Sequence, residues 1–554
     1  MRSLRHCILA ALAVSAACGG NHPTTTPSST WTAPAILTHV PADSPYLVAS
    51  LEPISDQLRA RMLHGFEKRI VQLRKTLEDL RGKPELAPWV RAGLALLDEV
   101  KGTDATTVWR SLGLDPKGRF ALYGLSIWPV VRLEIADPAR LRKVIEHVTS
   151  AAGAAPKQAT LGGQPYWSVP LKEVTLVAAV TEHEAVVALL PSRAVEASLP
   201  LVIGTKLPAQ PLASTTKVPE LLGRHRLLGY MLAYLDTHNA LDILTATAQN
   251  ELDAPLHALT GPISAACRAD GERLAAIAPR WVFGYRQFDE TGFDAVGVIE
   301  TPASVNTALA KLHAAVPGVS ARPAGQPLLS LGTAFRPDDL VAWLRGVAKQ
   351  LHDQPFACPQ LAELNRAGDE LAGKLATPLP PVMRGVQGFS LVIDDATIMP
   401  PEVAGHLLIS GDLVADFLST VAAAVPAIAG IPVARDGKPV ALPLKQLGIP
   451  LSSAHIAMTP NRLVVSAGVD SAQRASAQLA APAPKSSPLF AMSFDLPRFQ
   501  KLLASFGQTA LDDYSYLRSS GMSLDVADDG LSFDIWGMWA ESGPAAIAAP
   551  PAAH

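Results

Sequence analysis

Beyond residue 21 the chain has no apolar stretch near the roughly 20 residues that a membrane-spanning helix requires, so its body is expected to stand in water. Charge is also scarce. Only 18% of residues are charged and the formal net charge is −3. Phosphate backbones call for a clear basic excess, so nucleic acid is excluded as a partner. Nucleotide loops of the G-x-x-x-x-G-K type are missing, as is a G-x-S-x-G elbow, and the histidines lack the spacing of metal ligands. No cofactor or metal is expected on these grounds. Cysteine is rare, with four in 554 residues. What is present is apolar mass: hydrophobic residues make up 48%, enough for large cores in two to four domains.

The first 21 residues say where the chain works. Arg2 and Arg5 form a basic start, Ile8–Val14 is an apolar run too short to span a bilayer, and Ser15-Ala16-Ala17 are small. These are the proportions of a secretory signal over 1–17. Residues 18–36 follow as a Gly/Thr/Ser/Pro-rich lead that reads as a flexible tether. A signal, a cysteine at the cut and a loose lead together resemble a bacterial lipoprotein. That resemblance implies acylation of Cys18 and attachment to a membrane through the lipid. Gly19, standing where an Asp would retain the protein in the inner membrane, implies the outer membrane. The alternative is an ordinary cut after Ala17 that releases a soluble protein with a terminal thiol.

Of the four cysteines, Cys7 leaves with the signal and Cys18 is the lipidation candidate. Cys267 and Cys358 remain as one pair in an oxidising compartment, where a disulfide is favoured over two buried free thiols.

Along the chain, strand and helix signals recur in one order. Tyr46–Leu51 reads as a strand, with Ser55 capping a long helix striped by Leu58, Met62, Phe66, Ile70, Leu73, Leu77 and Leu80. Strand pairs near 120–135 and 166–190 each precede a helix, and Asp137-Pro138 opens one of these helices. A lone strand near 227–235 is capped by Asp236, and a hairpin is expected across 281–299. The same order returns at 328–351, 388–412, 454–470, 489–497 and 522–539. These repeats lead to an α+β chain of two tandem similar halves, over 37–316 and 317–540, each a mostly antiparallel sheet with helices on one face. On that plan the Cys267–Cys358 bridge joins the halves, and 541–554 is an Ala/Pro-rich disordered tail.

Chemical constellations are few. Ser214-Thr215-Thr216-Lys217 and Ser304-Val305-Asn306 resemble the S-x-x-K and S-x-N elements of penicillin-binding enzymes. However, Pro219 is expected to break the first helix, and the K-T-G element is absent. Asp394/Asp395 and Asp528/Asp529 read as turn residues rather than as an acid and a base.

The opening Val40-Pro41-Ala42-Asp43-Ser44-Pro45-Tyr46, with its strand and long helix, resembles uncharacterised envelope lipoproteins of Gram-negative bacteria. No activity comes with that resemblance. The expected function is therefore non-catalytic: an envelope module that binds or scaffolds a protein or glycan partner. A carrier of lipid or another apolar ligand, and then an extracytoplasmic hydrolase, are the alternatives.

Overall fold

The computed structural model describes residues 31–540 apart from 57, 60–65, 84–85, 103–104, 154–155, 246–250, 255–262, 399, 425 and 508–515. The signal, Cys18 and the 541–554 tail lie outside the described residues. The fold is mixed α+β, and its packing forms two compact units, one ending at Glu290 and the other starting at Thr291.

In the first unit, β1 (Tyr46–Ser50), β2 (Phe120–Leu125), β3 (Trp128–Glu134), β4 (Lys157–Leu161), β5 (Gln164–Leu171), β6 (Val174–Val180), β7 (Glu184–Pro191), β8 (Leu232–Asp236) and β9 (Arg280–Phe288) form one sheet. Its order is β4-β5-β6-β7-β3-β2-β1-β8-β9, with antiparallel ladders throughout. The helices are α1 (Phe66–Asp79), α2 (Ala87–Glu99), α3 (Ala105–Ser111), α4 (Pro138–Ala152), α5 (Val195–Ile203), α6 (Lys217–His225), α7 (Thr237–Thr245) and α8 (Ala265–Ile277).

Several local signals act as the sequence suggests. Ser55 Oγ accepts from the Leu58 amide, and Asp137 accepts from that of Arg140 as Pro138 opens α4. Asp236 does the same for Asn239 at the start of α7. Each cap satisfies an amide that the first helical turn leaves unbonded. Ser192 departs from expectation: α5 begins at Val195, and the Ser192 hydroxyl bonds Thr175 and the Lys172 carbonyl instead. Of the expected long amphipathic helix, Met62 lies outside the described residues, and α1 is only partly sheltered. Leu77 packs against Gly93 of α2, but Leu73 is 49% exposed.

In the second unit, β10 (Gly292–Glu300), β11 (Leu329–Ala334), β12 (Val386–Thr397), β13 (Glu402–Gly411), β14 (Val440–Ala441), β15 (Ala454–Thr459), β16 (Arg462–Ala467), β17 (Phe490–Asp495), β18 (Leu517–Ala527) and β19 (Gly530–Trp539) form the second sheet. Its order is β10-β19-β18-β17-β11-β12-β13-β16-β15-β14, so the hairpin expected across 281–299 does not form: β9 pairs with β8 and β10 with β19. Its helices are α9 (Ala303–Ala310), α10 (Pro337–Asp353), α11 (Ala362–Ala376), α12 (Val414–Ala424), α13 (Ser471–Ala480) and α14 (Leu496–Ser505), with short helical turns at Pro381–Arg384 and Pro426–Ala429. Asp495 caps α14 through the Arg498 amide. Cys267 and Cys358 stand at disulfide-bonding distance, as the pairing reading expects. Among the described residues no helix is long and apolar enough to cross a membrane.

Candidate functional site

Side chains in register on an antiparallel sheet share a face. In the second unit one row runs Ile456, Val465, Leu407, Leu391, Leu331, Met492, Met522, Ile535, Ala295, and every member is apolar. The next row on the opposite face runs His455, Ser466, His406, Val392, Ser330, Ser493, Gly521, Trp536, Asp294. The usual arrangement puts the polar row in water. Here it is reversed. Ser330, Ser466 and Ser493 are buried, together with Ser390, Ser519, Ser523 and Ser532 on the same face, while Leu331, Leu391, Met492, Met522 and Ile535 are only half-buried.

Side-chain size explains the closed face. Small residues let backbone come close: a Cβ on Gly332 would stand 2.7 Å from Val319. A Cβ on Gly318, at φ +80°, would stand 2.7 Å from the Ser390 hydroxyl. Segment 314–319 and α13 fill this side with Ala314, Val316, Val319, Ala475 and Leu479. Ser487 fastens the segment by donating to the Val316 carbonyl at 3.0 Å and accepting from its amide at 3.1 Å.

The other face is covered at its ends. Around Ile409, Ile456 and Leu463, α12 and the 431–442 stretch supply Phe417, Leu418, Ile431, Val433 and Leu442. At Phe494, α14 packs its Phe499, with ring centroids 4.9 Å apart. Between these ends lie the half-buried leucines and methionines, and Phe533 is 39% exposed.

The first unit carries a comparable face. Trp167, Ala178, Val187, Val131, Leu122, Val48, Ala233 and Phe283 form one apolar row. Tyr46, Leu235 and Trp281 form another on that side. At one end α4 brings Leu141 and Ile145 over Trp167 and Val180. Val187 is 38% exposed, Leu235 39% and Trp281 50%.

On the closed face of this first sheet lies a buried ion pair. Arg132 is fully buried. Its guanidinium meets Glu184 at 2.7 Å and donates to the Val202 carbonyl at 2.6 Å, with the Tyr123 hydroxyl 3.3 Å away. His39, 4.0 Å from Glu184, has its pKa lowered by burial first and by Arg132 second, with Glu184 opposing.

The residues singled out from sequence do not converge. Ser214 closes a 3₁₀ turn by donating to the Pro211 carbonyl, and Lys217 starts α6. Pro219 sits in the first turn of α6 rather than breaking it, since proline is tolerated there. The Lys217 ammonium pairs with Asp236 at 3.0 Å and lies 4.4 Å from the centre of the Tyr234 ring. Asn306 accepts from Thr301 and donates to the Asp528 carbonyl, which seats α9. Asp394 and Asp395 lie within β12 at a bulge rather than at a strand end, paired with Arg474 at 3.4 Å and Arg498 at 3.1 Å. His183 and Glu184 part company: the imidazole is exposed, whereas the carboxylate holds Arg132. Among the described residues no group of three or more His, Cys, Asp or Glu is arranged for a metal.

Among the described residues, the clefts open to solvent include three. One of about 480 Å³ is lined by Trp31, Pro34, Glu52, Arg119 and Gly229. A second of about 390 Å³ lies over 441–454. The third, of about 260 Å³, is bounded by Arg322, Gln326, Ser493, Asp495, Ser519 and Trp536. Comparison with protein-family models, curated proteins and solved structures finds no match.

Proposed function

We propose that this chain is a non-catalytic envelope lipoprotein, tethered by acylated Cys18 to the outer membrane, that binds a partner through the open apolar sheet faces. The observation that carries this reading is the reversed burial, serines inside and large apolar side chains half-open. Folding alone gives no reason to leave such a row uncovered, and contiguous exposed apolar patches mark interaction sites. The chemistry-bearing side chains found from sequence are engaged in caps and ion pairs, which supports a binding rather than a catalytic role. A protein partner fits the face better than a glycan, because the open rows offer few hydrogen-bonding groups. Met492 and Met522 at the centre of the row favour one second reading, an apolar ligand, since thioethers adapt to irregular shapes.

The two units are read as products of an internal duplication. In the first sheet β1 lies between β2 and β8, and in the second β11 lies between β12 and β17. Outward from these, β3-β7-β6-β5 corresponds to β13-β16-β15-β14, and β9 to β18. The frame P-A-x-x-P precedes both central strands, at Pro41–Pro45 and Pro323–Pro327. Asp236 and Asp495 cap the helix at corresponding places.

Photocrosslinking in cells tests the binding role. A crosslinker replacing Phe533 or Trp281 is expected to trap a discrete protein, whereas one at exposed Lys374 of α11 does not. Identical patterns at all three positions sink the reading. Native mass spectrometry of detergent-free protein separates the alternative, because a carrier retains an apolar mass.

A further inference from the structure

We propose that His406 makes the seating of α13 on the second sheet acid-labile, so that proton uptake releases the first turn of that helix. His406 lies on β13 on the closed face, 8% exposed, and among the described residues neither ring nitrogen has a hydrogen-bond partner. Its neighbours in register are Val392 on β12 and Ser466 on β16, with His455 one strand further. Ser466 already donates to the Ser471 carbonyl, and His455 Nδ1 lies 2.9 Å from the Ser471 hydroxyl. Two charges act on the ring: Asp394 from β12 and Arg474 from α13. They pair with each other at 3.4 Å, and Arg474 also donates to the Ala467 carbonyl at 2.7 Å.

A neutral imidazole is tolerated here. A protonated one has two donors, no acceptor and a second cation beside it, close to the positive end of α13. Asp394 is the nearby counter-charge, and it is the carboxylate that holds Arg474. The new cation therefore competes with α13 for Asp394, and either outcome loosens the helix. Burial, the largest influence, lowers the pKa of His406, with Asp394 opposing and Arg474 reinforcing. The sign follows from linkage. The seated state keeps its full advantage above the free imidazole value and loses it as pH falls from there through the seated value.

Hydrogen exchange of peptides covering Ser471–Ala480, corrected for the intrinsic pH dependence, tests this at pH 7.5 and pH 5. Wild-type protection is expected to fall by about tenfold for each pH unit between the free and seated pKa values. His406→Gln, neutral at both pH values, is expected to hold its protection constant. Arg474→Met frees Asp394 for the histidine, so its protection is lower at pH 7.5 and falls less on acidification. Should His406→Gln not fold, the wild-type and Arg474→Met profiles decide. Unchanged wild-type protection at pH 5, or an equal acid loss in either variant, overturns the proposal.

Discussion

Neutralising Glu184 should cost far more than its place near the surface suggests. Arg132 is completely enclosed, and Glu184 is its carboxylate partner at 2.7 Å. Arg132 also donates to the Tyr123 hydroxyl at 3.3 Å and to the carbonyls of Val202 and Leu201 in the last turn of α5, at 2.6 and 3.3 Å. Those carbonyls lack intrahelical partners, so the guanidinium both satisfies them and complements the negative end of the helix. Glu184→Gln keeps the shape and removes the charge, leaving a buried cation without a counter-ion, at a cost of about 3–5 kcal/mol. Pairing it with Arg132→Met removes the stranded charge. The double variant should then be more stable than the summed singles imply, by about 1–3 kcal/mol. Two compact units make one global midpoint ambiguous, so the readout is hydrogen exchange in peptides from β3, β7 and α5. A Glu184→Gln loss below about 1 kcal/mol, or strict additivity, refutes the reasoning. The same substitution should lower the His39 pKa further, because Glu184 is the group that raises it.

Other outcomes follow from the same physics. Cys18→Ala should move the protein from the membrane to the soluble fraction, and unchanged fractionation contradicts acylation. Non-reducing peptide mapping should find Cys267 joined to Cys358, and replacing both by Ser should cost up to about 4–5 kcal/mol by loop entropy; two free thiols in the native protein contradict the bond. Sidedness has its own test. Ser493→Leu on the closed face should destabilise by about 1–3 kcal/mol through overpacking, whereas Met522→Thr on the open face should change stability far less, and the reverse ranking in denaturant titrations defeats the two-face description.

Alternation in the sequence located most strands, and the capping aspartates located several helix starts. Asp137, Asp236 and Asp495 each hold the amide three residues on, because a short carboxylate can reach it only there. Three features were out of reach. β4, Lys-Gln-Ala-Thr-Leu, has no buried residue, so no burial pattern marks it. Arg132 alternates with Val131 and Leu133 as an outward residue would, and its burial is made tolerable by Glu184 and the α5 carbonyls, partners distant in sequence. The third is which face is closed. Period two separates the serines from the leucines on the second sheet, but the choice between them is made by Gly332, Gly318 and the segment that crosses them, contacts distant in sequence. For the same reason the pairs read as possible chemistry proved to be caps and ion pairs. Their partners, Asp236 for Lys217 and Arg474 for Asp394, lie on other elements.

The claim that the apolar rows are left open for a partner is tested most directly by oxidative footprinting of Met492 and Met522, measured on the isolated protein and again in intact cells. The account predicts ready labelling in isolation and marked protection in cells, with exposed Met383 labelled alike in both. Equal labelling of Met492 and Met522 in the two settings, or resistance already in isolation, contradicts it.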